Sequence, residues 1–339
     1  MRKKLPIFGG GFLVLAAIAI ITLAVLTARS RLHAIAITSD VFAAQPGTYE
    51  LRLEHDGWQR RYILHLPPAT AAGAPLPLFL ALHGGGGRAR QMDDLTHLSR
   101  IADREGFLLA FPEAVDKNWN DGRTGVGSKA EEENIDDVGY IRAVIDDIAA
   151  RLPVHPTRVY AAGISNGAIM SNRLACESAD KIAAVGLVVG TAPEGFESAC
   201  SPGRPVPVIA FLASSDPLVP YEGGSITAIL GFIKRGKVVG ADGLKRFWAG
   251  HNSCAPASAV EALADKTAAD NSTVSRETFG SCRSGADVVF YKLEGAGHTW
   301  PGGKQYLSPF LVGTTNRDID ASELIWRFFA ANRMPPATP

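Results

Sequence analysis

"RVYAAGISNGAIMSNRLAC", residues 158–176, decides how the rest of the chain is read. A short apolar run ends at Gly163, a serine stands between two glycines in Gly163-Ile164-Ser165-Asn166-Gly167, and a helical pattern follows over 166–176. This is G-x-S-x-G in the strand-to-helix context that gives the pattern a meaning. The strand must reverse sharply into a helix with the serine at the apex in a strained conformation, so a side chain at 163 or 167 would collide with nearby backbone. The hydroxyl is thereby exposed at the carboxyl edge of a sheet, where the helix start aims free N–H groups at an incoming oxyanion.

The neighbouring segments supply that sheet. Continuous apolar runs at 76–84, 107–113, 158–163, 182–190, 206–214 and 287–295 suit strands covered on both faces, as in a parallel sheet. Residues 48–54 and 59–66 alternate apolar and polar around "HDGW" and predict an edge hairpin. Helical patterns intervene at 92–104, over 135–153 with Asp136 or Asp137 as the cap, and at the chain end with Asp320 as the cap. Alternating strands and helices predict an α/β fold, a mostly parallel sheet flanked by helices with right-handed crossovers. Residues 222–250, Gly-rich and partly apolar, break the rhythm and read equally as a lid or as a crossover helix with a long entry loop.

A serine hydroxyl attacks only when a base takes its proton and a third group holds that base. Among eight histidines, His298 in "EGAGHTWPGG" leaves the last strand run on a glycine-lined loop that lets an imidazole reach over the sheet edge. Asp216 in "FLASSDPLVPYEGG" follows a buried run at the carboxyl end of a strand, where open α/β sheets build their sites; Glu222 is its nearest competitor. The order Ser165, Asp216, His298 is that of α/β-hydrolases. "LHGGGG", with His83 and four glycines after the run at 76–82, offers backbone donors to an oxyanion. The two donors are assigned to Gly85, with Gly84 as the alternative, and to Asn166. No Lys-Ser/Thr follows the glycines, so a phosphate loop is excluded.

Composition fits an exported enzyme. The chain has 339 residues, 46% of them hydrophobic, and zero net charge, which describes a globular protein. Five basic and no acidic residues fall in the first 34, leaving a balance of −5 beyond them and no basic stripe for nucleic acid. Leu5 to Thr27 carries no charge over 23 residues. As a helix it would span roughly 34 Å, enough to cross a bilayer core of about 30 Å. Residues 1–34 are therefore expected to be a signal-anchor or a cleaved signal peptide, and 35–339 a single catalytic domain in the periplasm or outside the cell. Cys176, Cys200, Cys254 and Cys282 match no zinc pattern, and no metal site is expected. Four cysteines allow three pairings; Cys176–Cys200 with Cys254–Cys282 is favoured because each pair brackets a local loop.

Together "LHGGGG", "NWNDGR", "NIDDVGYIRAVIDDI", "RVYAAGISNGAIMSNRLAC", "SSDPLVPYEGG" and "EGAGHTWPGG" resemble the polyhydroxybutyrate depolymerase and feruloyl esterase family of exported α/β-hydrolases, over roughly residues 48 to 332. The resemblance implies Ser165 as nucleophile, His298 as base, Asp216 as its orienting group, disulfides and no cofactor. It also puts Trp119, Asn120 and Trp300 in segments similar to the family's substrate-cleft walls. Polymer-degrading members often carry an extra binding domain, and only about 40 residues follow His298, so the expected substrate is a small ester or oligoester. A serine peptidase of the same fold, or a membrane-tethered binding protein that has lost the reaction, are the alternatives.

Overall fold

The computed structural model describes residues 35–36, 45–228, 233–256 and 260–335. The apolar run at 5–27, and with it the leader read over 1–34, lies outside the described residues. Among those that are described, no helix is long and apolar enough to cross a membrane.

Thirteen strands are described: β1 (Ile35–Ala36), β2 (Gly47–His55), β3 (Trp58–Leu66), β4 (Leu76–Leu82), β5 (Leu108–Pro112), β6 (Val154–Ile164), β7 (Ala184–Val188), β8 (Val208–Ala213), β9 (Gly223–Ala228), β10 (Ile233–Val239), β11 (Glu261–Ala262), β12 (Thr273–Phe279) and β13 (Val288–Glu294). Eleven form one sheet in the order β1-β2-β3-β5-β4-β6-β7-β8-β13-β12-β11. Its centre, from β5 to β13, is parallel. The hairpin β2–β3 caps one edge in antiparallel pairing, and β12 and β11 cap the other.

The apolar runs became central strands because both their faces are covered. Along β4, Leu78, Leu80 and Leu82 point into one core with the helices Asp137–Arg151, Asn166–Glu177 and Ala241–His251, whereas Phe79 and Ala81 point into a second core with Ala89–Thr96, Leu98–Glu105 and Ala321–Ala331. The period of two that defines a strand thus divides one sequence run between two layers. The expected caps form: the Asp136 carboxylate accepts from the Gly139 N–H, and that of Asp320 from Glu323.

Two elements differ from the sequence reading. The helix expected over 92–104 is two helices, broken at His97, whose left-handed backbone (φ 56°) ends the first while its N–H bonds the Asp93 carbonyl. In the insertion at 222–250, the crossover helix Ala241–His251 is present, and in place of a long entry loop β9 and β10 pair as a separate antiparallel hairpin. The hairpin lies against the 123–127 loop, where Gly236 (φ 75°) packs so closely that an added Cβ would sit 2.8 Å from the Thr124 carbonyl oxygen.

Disulfides join Cys176 to Cys200 and Cys254 to Cys282, closing loops 24 and 28 residues apart in sequence. Loops of that length stabilise the fold by about 3 kcal/mol each, mainly through the unfolded chain.

Candidate active site

Because β6, β8 and β13 run parallel, their carboxyl ends share one edge of the sheet. Ser165 follows β6, Asp216 follows β8 and His298 follows β13. Adjacent strands are about 4.8 Å apart, so loops from strands this near can converge over a single point.

At the first of these ends Ser165 adopts φ 58°, ψ −123°, a conformation costly for a residue with a side chain. Backbone contacts impose it. A side chain on Gly163 would run into the Gly167 carbonyl, one on Gly167 would meet the His83 oxygen at 2.5 Å, and one on Gly190 would meet the Ser165 oxygen at 2.5 Å. The Ser165 N–H bonds the Val188 carbonyl at 2.9 Å, fixing the turn to β7. Next to it Val189, a β-branched residue, also has positive φ (44°), so the strain extends over both strand ends.

The structure brings Asp216 and His298 together: His298 Nδ1 lies 2.7 Å from Asp216 Oδ2, with both side chains nearly fully buried (3% and 2% exposed). Asp216 Oδ1 accepts from the backbone N–H groups of Leu218 and Val219 at 2.8 and 2.9 Å, so each carboxylate oxygen has a separate task. The imidazole is held from behind by its own backbone, whose N–H bonds Val312 O and whose carbonyl accepts from the Tyr306 hydroxyl at 3.0 Å. Glu222 is exposed at the entry to the β9–β10 hairpin. Two further His–Asp contacts, His55–Asp136 and His65–Asp103, belong to the β2–β3 hairpin at the far edge of the sheet.

The glycine loop after β4 lies against the serine turn. A Cβ on Gly84 would stand 3.3 Å from that of Ser165, and one on Gly85 would stand 3.7 Å from that of Asn166. Asn166 opens the helix, so its N–H has no carbonyl one turn back to bond. Beneath the loop, His83 is buried, its Nδ1 donating to Gly84 O at 2.8 Å and its Nε2 accepting from the Ala114 N–H at 3.1 Å. Both contacts require the neutral ring, and burial lowers its pKa to about 4. Such a histidine is neutral when folded and takes up its proton on unfolding, so stability falls as pH drops through about 6.5 towards 4. Wild-type protein is therefore expected to lose roughly 2 kcal/mol between pH 7 and pH 4.5 from this group alone. Urea unfolding of wild type and His83→Gln at the two pH values checks this; equal losses in both proteins would contradict it.

The tryptophans expected in the cleft wall are buried instead. Trp119 is 1% exposed, packs on His83 with ring centroids 5.1 Å apart and donates Nε1–H to His83 O at 2.8 Å. Trp300 is fully buried and donates to Ser322 Oγ at 2.9 Å. Asn120 spends its polar groups on Asp137, Asn134, Ile135 and Arg173, bracing its own loop. An indole N–H needs a partner when buried, and the protein provides one in each case. Among the described residues the exposed large aromatics are Tyr306, whose hydroxyl reaches the His298 carbonyl, and Phe310, two residues before the Val312 that accepts the His298 N–H; nothing local in the sequence distinguishes either from other loop residues.

No group of three or more metal-ligating side chains occurs among the described residues. Comparison with known proteins agrees with the architecture. Residues 60–221 match the family model described as "Esterase PHB depolymerase". The chain is 34% identical over 272 residues to NocK of Nocardia uniformis subsp. tsuyamanensis, named an esterase, covering 79% of this chain and 78% of that one. It is 29% identical over 257 residues to feruloyl esterase B of Piromyces equi, covering 72% of this chain and 44% of the relative, so it spans less than half of that protein's length. Among solved structures, the acetyl xylan esterase from Aspergillus awamori superposes with a TM-score of 0.53 at 13% identity, over 74% of this chain and 94% of that one. Fold and relatives together define a carboxylic ester hydrolase of the α/β-hydrolase class. The chain belongs to the polyhydroxybutyrate depolymerase and feruloyl esterase family.

Proposed function

We propose that the protein is an exported serine esterase in which Ser165 is the nucleophile, His298 the base and Asp216 the group that orients it. The observation that carries this reading is the 2.7 Å contact of Asp216 with His298 Nδ1, on the sheet edge that also presents Ser165 at φ 58°. With Nδ1 committed to the carboxylate, Nε2 is the atom left to exchange a proton with the serine. Ser165 Oγ attacks the ester carbonyl carbon and its proton passes to His298. The oxyanion that forms is held by the N–H groups of Gly85 and Asn166. Collapse breaks the ester bond, and the leaving alcohol takes the proton from His298. Water then repeats the sequence on the acyl-enzyme and releases the acid.

The substrate class is a soluble carboxylic ester, either a hydroxyalkanoate oligomer or a feruloyl-type ester. Relatives named feruloyl esterase and acetylxylan esterase support the second, and the family model named for polyhydroxybutyrate depolymerase supports the first. Two disulfides favour an oxidising compartment, with residues 1–34 as the leader or membrane anchor.

The test is twofold. A fluorophosphonate should label the protein once per chain, on the peptide that contains Ser165, and the unlabelled protein should hydrolyse methyl ferulate or soluble 3-hydroxybutyrate oligomers. The faster of the two substrates identifies the acyl group. Labelling elsewhere, or turnover of neither substrate, would overturn the proposal.

A further inference from the structure

The segment 117–123 touches both sides of the site without contributing a group to the chemistry. On one side Gly86 N–H bonds Lys117 O at 2.9 Å and Trp119 Nε1–H bonds His83 O, which ties the segment to the glycine loop. On the other side it holds Asn166. The Asn166 Oδ1 accepts from Trp119 N–H at 2.8 Å, and its Nδ2 donates to Trp119 O at 3.1 Å and to Asp121 Oδ2 at 2.6 Å. Every hydrogen-bonding site of that amide except one lone pair is taken.

Asp121 is the centre of this arrangement. It is 2% exposed and receives the Asn166 amide together with the N–H, Nε and Nη2 of Arg123. A carboxylate buried this deeply needs a matching charge, and the guanidinium supplies it. Arg123, 6% exposed, uses its remaining Nη1 to bond the carbonyl of Arg235 in β10 at 2.7 Å. Arg235 in turn reaches back to Val126 O at 3.0 Å. A continuous set of bonds therefore runs from the β9–β10 hairpin through Arg123 and Asp121 to the first residue of the nucleophile's helix.

We propose that Asp121 is a positioning residue for ester hydrolysis: with Arg123 it fixes Asn166 against the 117–121 segment and so sets the spacing between the Asn166 and Gly85 N–H donors. The inference rests on the esterase reading of Ser165. Asp121 touches no substrate, so its effect belongs to the transition state, where the donors act, and leaves ground-state binding alone. The charge is essential because four donors converge on two oxygens; an amide at 121 would turn an NH2 towards at least one of them.

The experiment compares Asp121→Asn, Arg123→Lys and Ser165→Ala with wild type, in the whole chain, with rates normalised to sites titrated to endpoint by a fluorophosphonate, and for Ser165→Ala to protein concentration. Loss of one oxyanion donor costs about 100- to 1,000-fold, and misplacement should cost a part of that, between about 10- and 100-fold in kcat, with KM within about twofold. Affinity for a trifluoromethyl ketone, which forms the tetrahedral adduct, should fall by the same factor as kcat, while affinity for the product acid stays unchanged. Arg123→Lys keeps a cation beside Asp121 but cannot also hold the hairpin carbonyl, so it should show the same split and carries the test if Asp121→Asn does not fold. Wild-type kcat per titrated site in both variants, with Ser165→Ala inactive, overturns the positioning role alone, as does a fall in thermal stability without a change in kcat. Activity in Ser165→Ala would instead overturn the esterase reading beneath it.

Discussion

Replacing Ser165 by alanine is expected to lower kcat on a soluble ester by a factor on the order of 10⁵ to 10⁶, while the protein stays folded. The size follows from what remains: donors and binding groups without a nucleophile accelerate water attack only modestly. Folding is spared because the strain of the turn does not depend on the hydroxyl. It is held by the Ser165 N–H to Val188 and by backbone packed against Gly163, Gly167 and Gly190, and alanine meets the same contacts. Initial rates and the thermal midpoint of the variant check both halves. Residual activity above about 1% of wild type would mean that another group attacks the ester.

Asp216→Asn should have the second largest effect, a fall of about 10⁴ in kcat. The two turn amides of Leu218 and Val219 both donate to the same carboxylate oxygen, so they will select the orientation that keeps the asparagine oxygen there. The NH2 then faces His298 Nδ1, which must accept rather than donate. That moves the ring proton to Nε2, the position from which the histidine has to remove the serine proton, and the base is disabled by tautomer with its geometry intact. Glu222→Gln, altering an exposed carboxylate, should change kcat less than twofold; were it instead the damaging substitution, Asp216 would lose its place in the mechanism.

The positions of Ser165, Asp216 and His298 at strand ends could be read from sequence because each follows a continuous apolar run and sits close to glycine or proline, the local footprint of such an end. The pairing of the cysteines was legible for a similar reason, since near partners close short loops. Burial was not legible. "NWND" and "HTWPGG" look the same whether the indole faces a cleft or the interior, and the partners that draw Trp119 and Trp300 inward, His83 O and Ser322 Oγ, are 36 and 22 residues away. The β9–β10 hairpin escaped for want of a local cause. Its strands are interrupted by glycines, and its place is set by bonds between Arg235 and a loop more than 100 residues earlier. Strand β12, next to the outermost β11, is polar enough to read as loop, and becomes a strand by antiparallel pairing with β13 over seven residues.

Gly167 meets the end of β4 backbone to backbone, with no side chain between the helix that follows Ser165 and the strand that leads into the glycine loop. The spacing between the Ser165 turn and the glycine loop is therefore a main-chain dimension, insensitive to the drift of side chains elsewhere. Side chains around His298 differ in this respect: the Tyr306 hydroxyl bonds the His298 carbonyl, whereas the Phe310 ring is 78% exposed. Changes at Phe310 should therefore leave the turnover chemistry as it is, and changes at Tyr306 should reach it through the His298 backbone.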